Sequence, residues 1–199
     1  MNKMNKVEKL IFIEAKAYLS VRNNEMHTRN VIDFAFKLLQ EESGDRDIVI
    51  PAAILHDVGW FKISSNNIKK AMGPNGDISI VRAHEAEGVK IARVILQKYL
   101  ESDRKMSEIL QIISGHDTRK EALSINDKIV KDADKLSRYD ANFTTLADII
   151  DLSIQEMFYL LETNLSKWFF LPLSKRIAND ELNKRKKETS ISSHHMGPA

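Results

Sequence analysis

Four histidines and two aspartates carry the chemistry that this sequence can offer: His27, the doublet His56-Asp57, His84, His116 and Asp132. The doublet closes the apolar run I-V-I-P-A-A-I-L, His27 precedes it, and Asp132 follows within K-D-A-D-K-L. Each falls on an apolar helical face. His27 stands four before Val31, and His56 three after Ala53 and four after Ala52. His84 stands four before Gly88 and seven before Ile91, and His116 three after Ile113. Asp132 lies three after Ile129 and four before Leu136. Side chains three and four apart share a helix face, so these groups point toward a core or line a cavity. A single histidine on an apolar face is ordinarily a hydrogen-bonded core residue, and a single helical aspartate a cap or a surface group. A divalent cation explains all five placements together, because a buried carboxylate needs a cation or strong donors. Imidazole and carboxylate suit manganese, iron, cobalt, nickel or zinc, with magnesium a poorer match. The chemistry implied is hydrolysis at a metal centre inside an all-helical domain.

The elements that must position these groups follow from hydrophobic periodicity. It predicts helices over 5–20, with Val7, Leu10, Ile11, Ala15, Tyr18 and Leu19 on the apolar face, over 26–42, and over 47–58, where Pro51 falls near the first turn and Gly59 ends the helix. Residues 60–80 read as a long loop with a short helix, marked by Gly73-Pro74 and Asn75-Gly76, and able to cover the site. Further helices are expected over 82–101, 105–115, 125–139, 144–163 and 165–182, the last divided or kinked at Pro172. The fold class is all-α, a helical bundle. One domain is expected over 1–183, with a metal-binding core at about 20–140 and a basic or disordered tail at 184–199.

Composition narrows the function classes. The chain has 199 residues, 43% of them hydrophobic, which suffices for one sizeable core. It has no cysteine, so disulfides and thiolate ligands are excluded and a reducing, cytoplasmic setting is expected. No stretch reads as a membrane span or a good signal peptide. A net charge of +2 gives no argument for nucleic acid, and K-R-K-K at 184–187 reads as a solvated helix end. His194 and His195, in the terminal S-S-H-H-M-G-P-A, are left out of the site. The amphipathic segment F-Y-L-L-E-T-N-L-S-K-W-F-F-L could form a homodimer surface or complete the monomer core.

The ordered set His27, His56-Asp57, Asp132, with the flanks H-T-R-N-V, P-A-A-I-L-H-D-V-G and K-I-V-K-D-A-D-K-L, resembles the HD-domain superfamily of metal-dependent phosphohydrolases. The stretches A-H-E-A-E-G-V-K-I-A-R-V-I-L around His84 and I-L-Q-I-I-S-G-H around His116 extend the likeness, most of all to the small bacterial YpgQ/YedJ-like HD hydrolases. The resemblance covers roughly residues 20–140 and implies an HD-domain helical bundle.

It further implies that His27, His56, Asp57 and Asp132 hold one divalent ion. His84 and His116 then line the pocket and contact phosphate, or else bind a second metal with Asp57 as the bridge; the one-metal arrangement is preferred. The implied reaction is hydrolysis of a phosphate ester or anhydride, of a nucleotide or deoxynucleotide, by hydroxide generated on the metal. Asp57, His84 and His116 would be catalytic, the histidines donating to phosphoryl oxygens or protonating the leaving oxygen. Arg119, Lys62 and Arg82 are candidates for binding phosphate, and Trp60 for stacking on a base or sugar. The doublet is followed by V-G-W-F and lacks an acid three residues on, a departure that weakens assignment to the deoxynucleoside monophosphate phosphatases. Two alternatives stand: a non-catalytic metal- and nucleotide-binding sensor, and a di-iron oxygenase of the same superfamily.

Overall fold

The computed structural model describes residues 4–71, 76–140 and 153–194. Among them every regular element is helical: α1 (Lys6–Ala15), α2 (Asn24–Leu38), α3 (Arg46–Leu55), α4 (Ser65–Ala71), α5 (Ile78–Leu96), α6 (Asp103–Ile113), α7 (Ile125–Ser137), α8 (Ile154–Asn164) and α9 (Pro172–His194), with 3-10 turns at Lys16–Tyr18 and Val58–Lys62. The starts are set by polar caps that satisfy the first free backbone N–H groups. Asn5 with Glu8 and Ser153 with Glu156 form capping boxes, and Asp45, Asp77, Ser102 and Ser124 cap α3, α5, α6 and α7 with their side chains.

Helix α3 is the axis of the molecule. Its residues from Ile48 to Leu55 are all buried, and α1, α2, α6 and α7 pack around it. A helix that is apolar on every face must be enclosed in this way. Pro51 lies in the second turn rather than the first, where its missing N–H leaves the Asp47 carbonyl without its intrahelical donor. Leu161, Phe169, Leu171, Ala178 and Leu182, from α8, α9 and the segment between them, belong to the same apolar cluster as α3.

Three expectations change. The described parts of the 60–80 segment, 60–71 and 76–80, are largely helical. Ile68 and Ala71 of α4 form a satellite core with Trp60, against which Val21, Ile63, Ile80 and Val81 pack. The expected turn at Gly73-Pro74, with Asn75, lies outside the described residues, as does the 144–152 part of the helix expected over 144–163. Pro172 does not kink a helix; it begins one, because its fixed φ and missing N–H suit the first position. That helix runs on to His194, through the region expected to be a tail. Arg185 of the K-R-K-K run turns inward and donates to the Arg138 carbonyl at 3.0 Å. No helix among the described residues is long and apolar enough to cross a membrane.

Gly59 allows the turn after α3 to lie directly on α5. A Cβ there would stand 1.9 Å from the His84 carbonyl oxygen and 2.5 Å from the Gly88 nitrogen, both backbone atoms that cannot swing away. Gly59→Ala is therefore expected to cost about 3 kcal/mol in a urea melt, by forcing α5 off the turn. A loss under about 0.5 kcal/mol would contradict this reading of the contact.

Candidate metal centre

The site is built where α3 ends. His56 is its C-cap and Asp57 follows, so the apolar axis delivers an imidazole and a carboxylate to one buried point. His27 comes from the first turns of α2, His84 from α5, and His116 from the turn just beyond α6. His56, His84 and His116 are almost wholly inaccessible, and His27 is the most open of the four histidines, with 13% of its side chain exposed.

Hydrogen bonds on the far side of three rings fix which nitrogen faces inward. Nδ1 of His56 donates to the Ala53 carbonyl (2.8 Å), and Nδ1 of His116 to the Ile113 carbonyl (2.9 Å). The Ser137 hydroxyl donates to the Asp134 carbonyl (2.7 Å), which leaves its oxygen to accept from Nδ1 of His27 (3.2 Å). In the neutral ring each Nε2 is thereby left to offer a lone pair, the tautomer that a metal-binding histidine uses. His84 is held differently. Its ring stacks on Trp60 with centroids 4.0 Å apart and an interplanar angle of 11°, and its Nδ1 is buried without a hydrogen-bond partner.

The four Nε2 atoms converge on Asp57 in two pairs. Oδ2 lies 3.4 Å from His27 and 3.7 Å from His56; Oδ1 lies 3.4 Å from His116 and 3.6 Å from His84. Within the pairs, His27 and His56 are 3.1 Å apart, and His84 and His116 are 3.3 Å apart. Each half has a second carboxylate. Asp134 lies 3.3 Å from His27 and 3.9 Å from His56, and Asp117 lies 3.6 Å from His116 and 3.9 Å from His84. Ligand atoms bound at about 2.1 Å to one ion sit roughly 3.0–3.4 Å from each other at tetrahedral or octahedral angles. The closest separations in both halves match this, and the nitrogen–oxygen donor set suits a divalent transition metal. His27, His56 and Asp57 could hold one ion, with the Asp134 carboxylate beside the two histidines, and Asp57, His84, His116 and Asp117 a second.

The electrostatics set the two halves apart. Burial drives the His56 pKa down to about 4, which keeps its ring neutral at pH 7. Burial would also lower His116, but the carboxylates of Asp117, Asp57 and Glu85 outweigh it and raise that pKa to about 9, so the metal-free ring is protonated at pH 7 and an ion bound at its Nε2 would displace that proton. Burial opposes ionisation of Asp57, yet the surrounding imidazoles hold it well below the ordinary carboxylate range. Asp117 and Asp134 are held low against burial by Lys135 and Arg138. Lys135 spans the two halves, 2.7 Å from Asp134 and 2.9 Å from Asp117.

The structure brings together His27, His56, Asp57, His84 and His116, and sends Asp132 elsewhere. Both oxygens of Asp132 accept backbone N–H groups, from Phe170 and Leu171 (2.9 Å each), and so tie α7 to the start of α9. Asp132 and Asp134 are two residues, about 200°, apart on α7, and therefore face opposite ways. It is Asp134 that meets His27. The other candidates also move. Arg119 braces its own loop, pairing with Asp127 (2.7 Å) and donating to the Gln111 and Glu121 carbonyls. Lys62 is exposed beside the Phe61 ring, and Arg82 is exposed on α5. Trp60 is buried and cannot stack on a ligand; its indole N–H donates to Oδ1 of Asp57 at 3.1 Å.

Sequence reasoning missed Asp117, Asp134, Lys135, Arg138 and Arg22. The Arg22 guanidinium lies 4.4 Å over the Trp60 ring, on a backbone where Arg22 and Asn23 both take φ 57°. Two successive left-handed residues without glycine are costly, and such strain gathers at functional sites. Asp117 carried a signal, since it forms a second His-Asp doublet with His116.

A family model described as the HD domain matches residues 25–139, more than half of the chain. No curated protein and no solved structure matches.

The two aspartates of α7 should separate cleanly on substitution. Asp132→Ala is expected to lose about 2–4 kcal/mol, for two orphaned N–H groups, while keeping its bound manganese. Asp134→Ala should lose manganese with a smaller change in stability. Burial raises the Asp132 pKa to about 6 against 3.8 in a free chain. The folded chain therefore binds that proton more tightly, and its contribution is largest below pH 4 and lost as pH rises through 6. The stability gap between the parent and Asp132→Ala should accordingly widen as pH falls from 6 to 4. Loss of manganese from Asp132→Ala alone would restore it as a ligand.

Proposed function

Because the chain belongs to the HD domain family, we propose that it is a divalent-metal-dependent phosphohydrolase acting on a small phosphorylated substrate, a nucleotide or deoxynucleotide, through a two-ion site divided by Asp57. The observation that carries the proposal is the convergence of four Nε2 atoms on the two oxygens of one buried carboxylate. A likeness to the YpgQ/YedJ-like branch, a cytoplasmic setting and manganese as the working metal belong to the same proposal, supported by the sequence flanks and the absence of cysteine.

Divalent ions, when bound, supply an acidified water and polarise phosphoryl oxygen. The protein's own groups do the rest. His27 and His56, with Asp134 beside them, would hold an ion on one side, and His84, His116 and Asp117 one on the other. The Trp60 N–H holds Asp57 in a fixed rotamer, and the Trp60 ring fixes the plane of His84. With the carboxylates engaged, Lys135, Arg138 and Arg22 are the cations near enough to meet the charge on a phosphate group. They replace Arg119, Lys62 and Arg82 in that role. A histidine committed as a ligand is a poor proton donor, so the catalytic roles expected of His84 and His116 become metal-holding ones.

The test is phosphate and pyrophosphate release from a nucleotide panel, with metal-free protein reconstituted separately with manganese, cobalt, nickel, iron, zinc and magnesium. Metal-dependent turnover is expected, falling at least about a hundredfold in Asp57→Ala while helicity persists. No turnover from a stoichiometrically metallated, folded protein would overturn the hydrolase reading in favour of a sensor. Oxygen consumption with iron and an organic substrate would overturn it in favour of an oxygenase.

A further inference from the structure

The two halves of the site are not supported alike. His27 and His84 project from regular helices and His56 caps one, where the helical backbone sets their positions. His116 and Asp117 lie past the last turn of α6, on a segment whose backbone groups have no helix to satisfy them. Two buried charged side chains outside the ligand set grip that segment from opposite sides. Glu85, on α5 next to His84, accepts the N–H groups of Asp117 (3.0 Å) and Thr118 (2.9 Å) on Oε1, and the Thr118 hydroxyl (2.6 Å) on Oε2. Lys131, on α7 three residues before Asp134, donates to the carbonyls of Gly115 (2.5 Å), His116 (3.0 Å) and Arg119 (2.8 Å). Glu85 is 3% exposed and Lys131 4%.

We infer that Glu85 and Lys131 are positioning residues that hold the 115–119 turn in the shape that completes the second half of the metal site. The inference rests on the two-ion reading. One residue takes the donors of the turn and the other its acceptors, so each supplies what the other cannot. Their opposite charges also offset each other across the turn. Charged partners make the stronger hydrogen bonds, which suits a segment without secondary structure of its own. Glu85 acts through the backbone: its Oε1 stays 4.0 Å from Nδ1 of His116, on the ring edge away from the ligand cluster. Bonds to the peptide groups on either side of Asp117 fix where its carboxylate leaves the chain. Lys135 then fixes where that carboxylate points. The first half is carried by α2 and the end of α3, to which neither Glu85 nor Lys131 hydrogen-bonds among the described residues, so the clamp should govern one ion and not the other.

The experiment uses full-length Glu85→Ala, Glu85→Gln and Lys131→Met, each reconstituted with manganese and followed by titration and by electron paramagnetic resonance. The parent is expected to bind two ions with an exchange-coupled signal. Glu85→Ala and Lys131→Met should keep the first ion at parental affinity, weaken the second about 10–100-fold, and show an uncoupled signal. Glu85→Gln, which keeps an acceptor for the amides, should recover much of the second affinity. In metal-free protein, amide exchange at Asp117 and Thr118 should speed up at least tenfold in Glu85→Ala, while Ala53 and Ile54 are unchanged. A general loss of structure would weaken both ions and speed both regions, and would overturn the inference. So would two ions of unchanged affinity in Glu85→Ala and Lys131→Met. Should Glu85→Ala not fold, the near-isosteric Lys131→Met decides. A parent that binds one ion would overturn the two-ion reading instead. The exchange data, which need no metal, would then show separately whether the clamp holds the turn.

Discussion

One carboxylate organises this protein. Asp57 is buried among four imidazoles, with one oxygen turned to His27 and His56 and the other to His84 and His116. A carboxylate in such a place is affordable only when positive charge or strong donors surround it. The fold is arranged to meet that demand. Helix α3, apolar from Ile48 to Leu55, drives its own C-terminus into the core, and three further elements each bring a histidine to the same point. Gly59 then turns the chain tightly enough for Trp60 to donate to Asp57 and to stack on His84.

The surrounding charges form layers. Asp117 and Asp134 flank the histidine pairs, Lys135 and Arg138 sit outside those aspartates, and Lys135 touches one carboxylate from each half. Cations this close hold the two carboxylates in place, and on the proposed function they are the groups that a phosphate would meet. The layer also explains why buried aspartates in this centre stay ionised although burial alone would protonate them.

Much of this was legible in the sequence. Periodicity located every helix that carries a site histidine, and the apolar faces of His27, His56, His84 and His116 pointed to one interior. The choice between Asp132 and Asp134 was not legible. Helix α7 is buried on nearly all sides, so both aspartates occupy core positions and apolar neighbours cannot tell them apart. What separates them is the partner each face meets: α2 with His27 for Asp134, and the start of α9 for Asp132. Glu85 carries no local signal, because its partners lie 32 and 33 positions away, in a turn whose path local spacing does not reveal. Trp60 and Arg119 brace neighbouring groups for a related reason. A residue type that can bind a ligand serves equally well to brace a neighbour, and only the fold decides between the two.

The central claim is that Asp57 divides two metal-holding halves. Anomalous diffraction from crystals of the manganese-reconstituted protein tests it most directly. Two peaks about 3.5–4 Å apart, on either side of the Asp57 carboxylate, are the predicted result. A single peak between His27, His56 and Asp134, with His84 and His116 free of metal at saturating manganese, would contradict it.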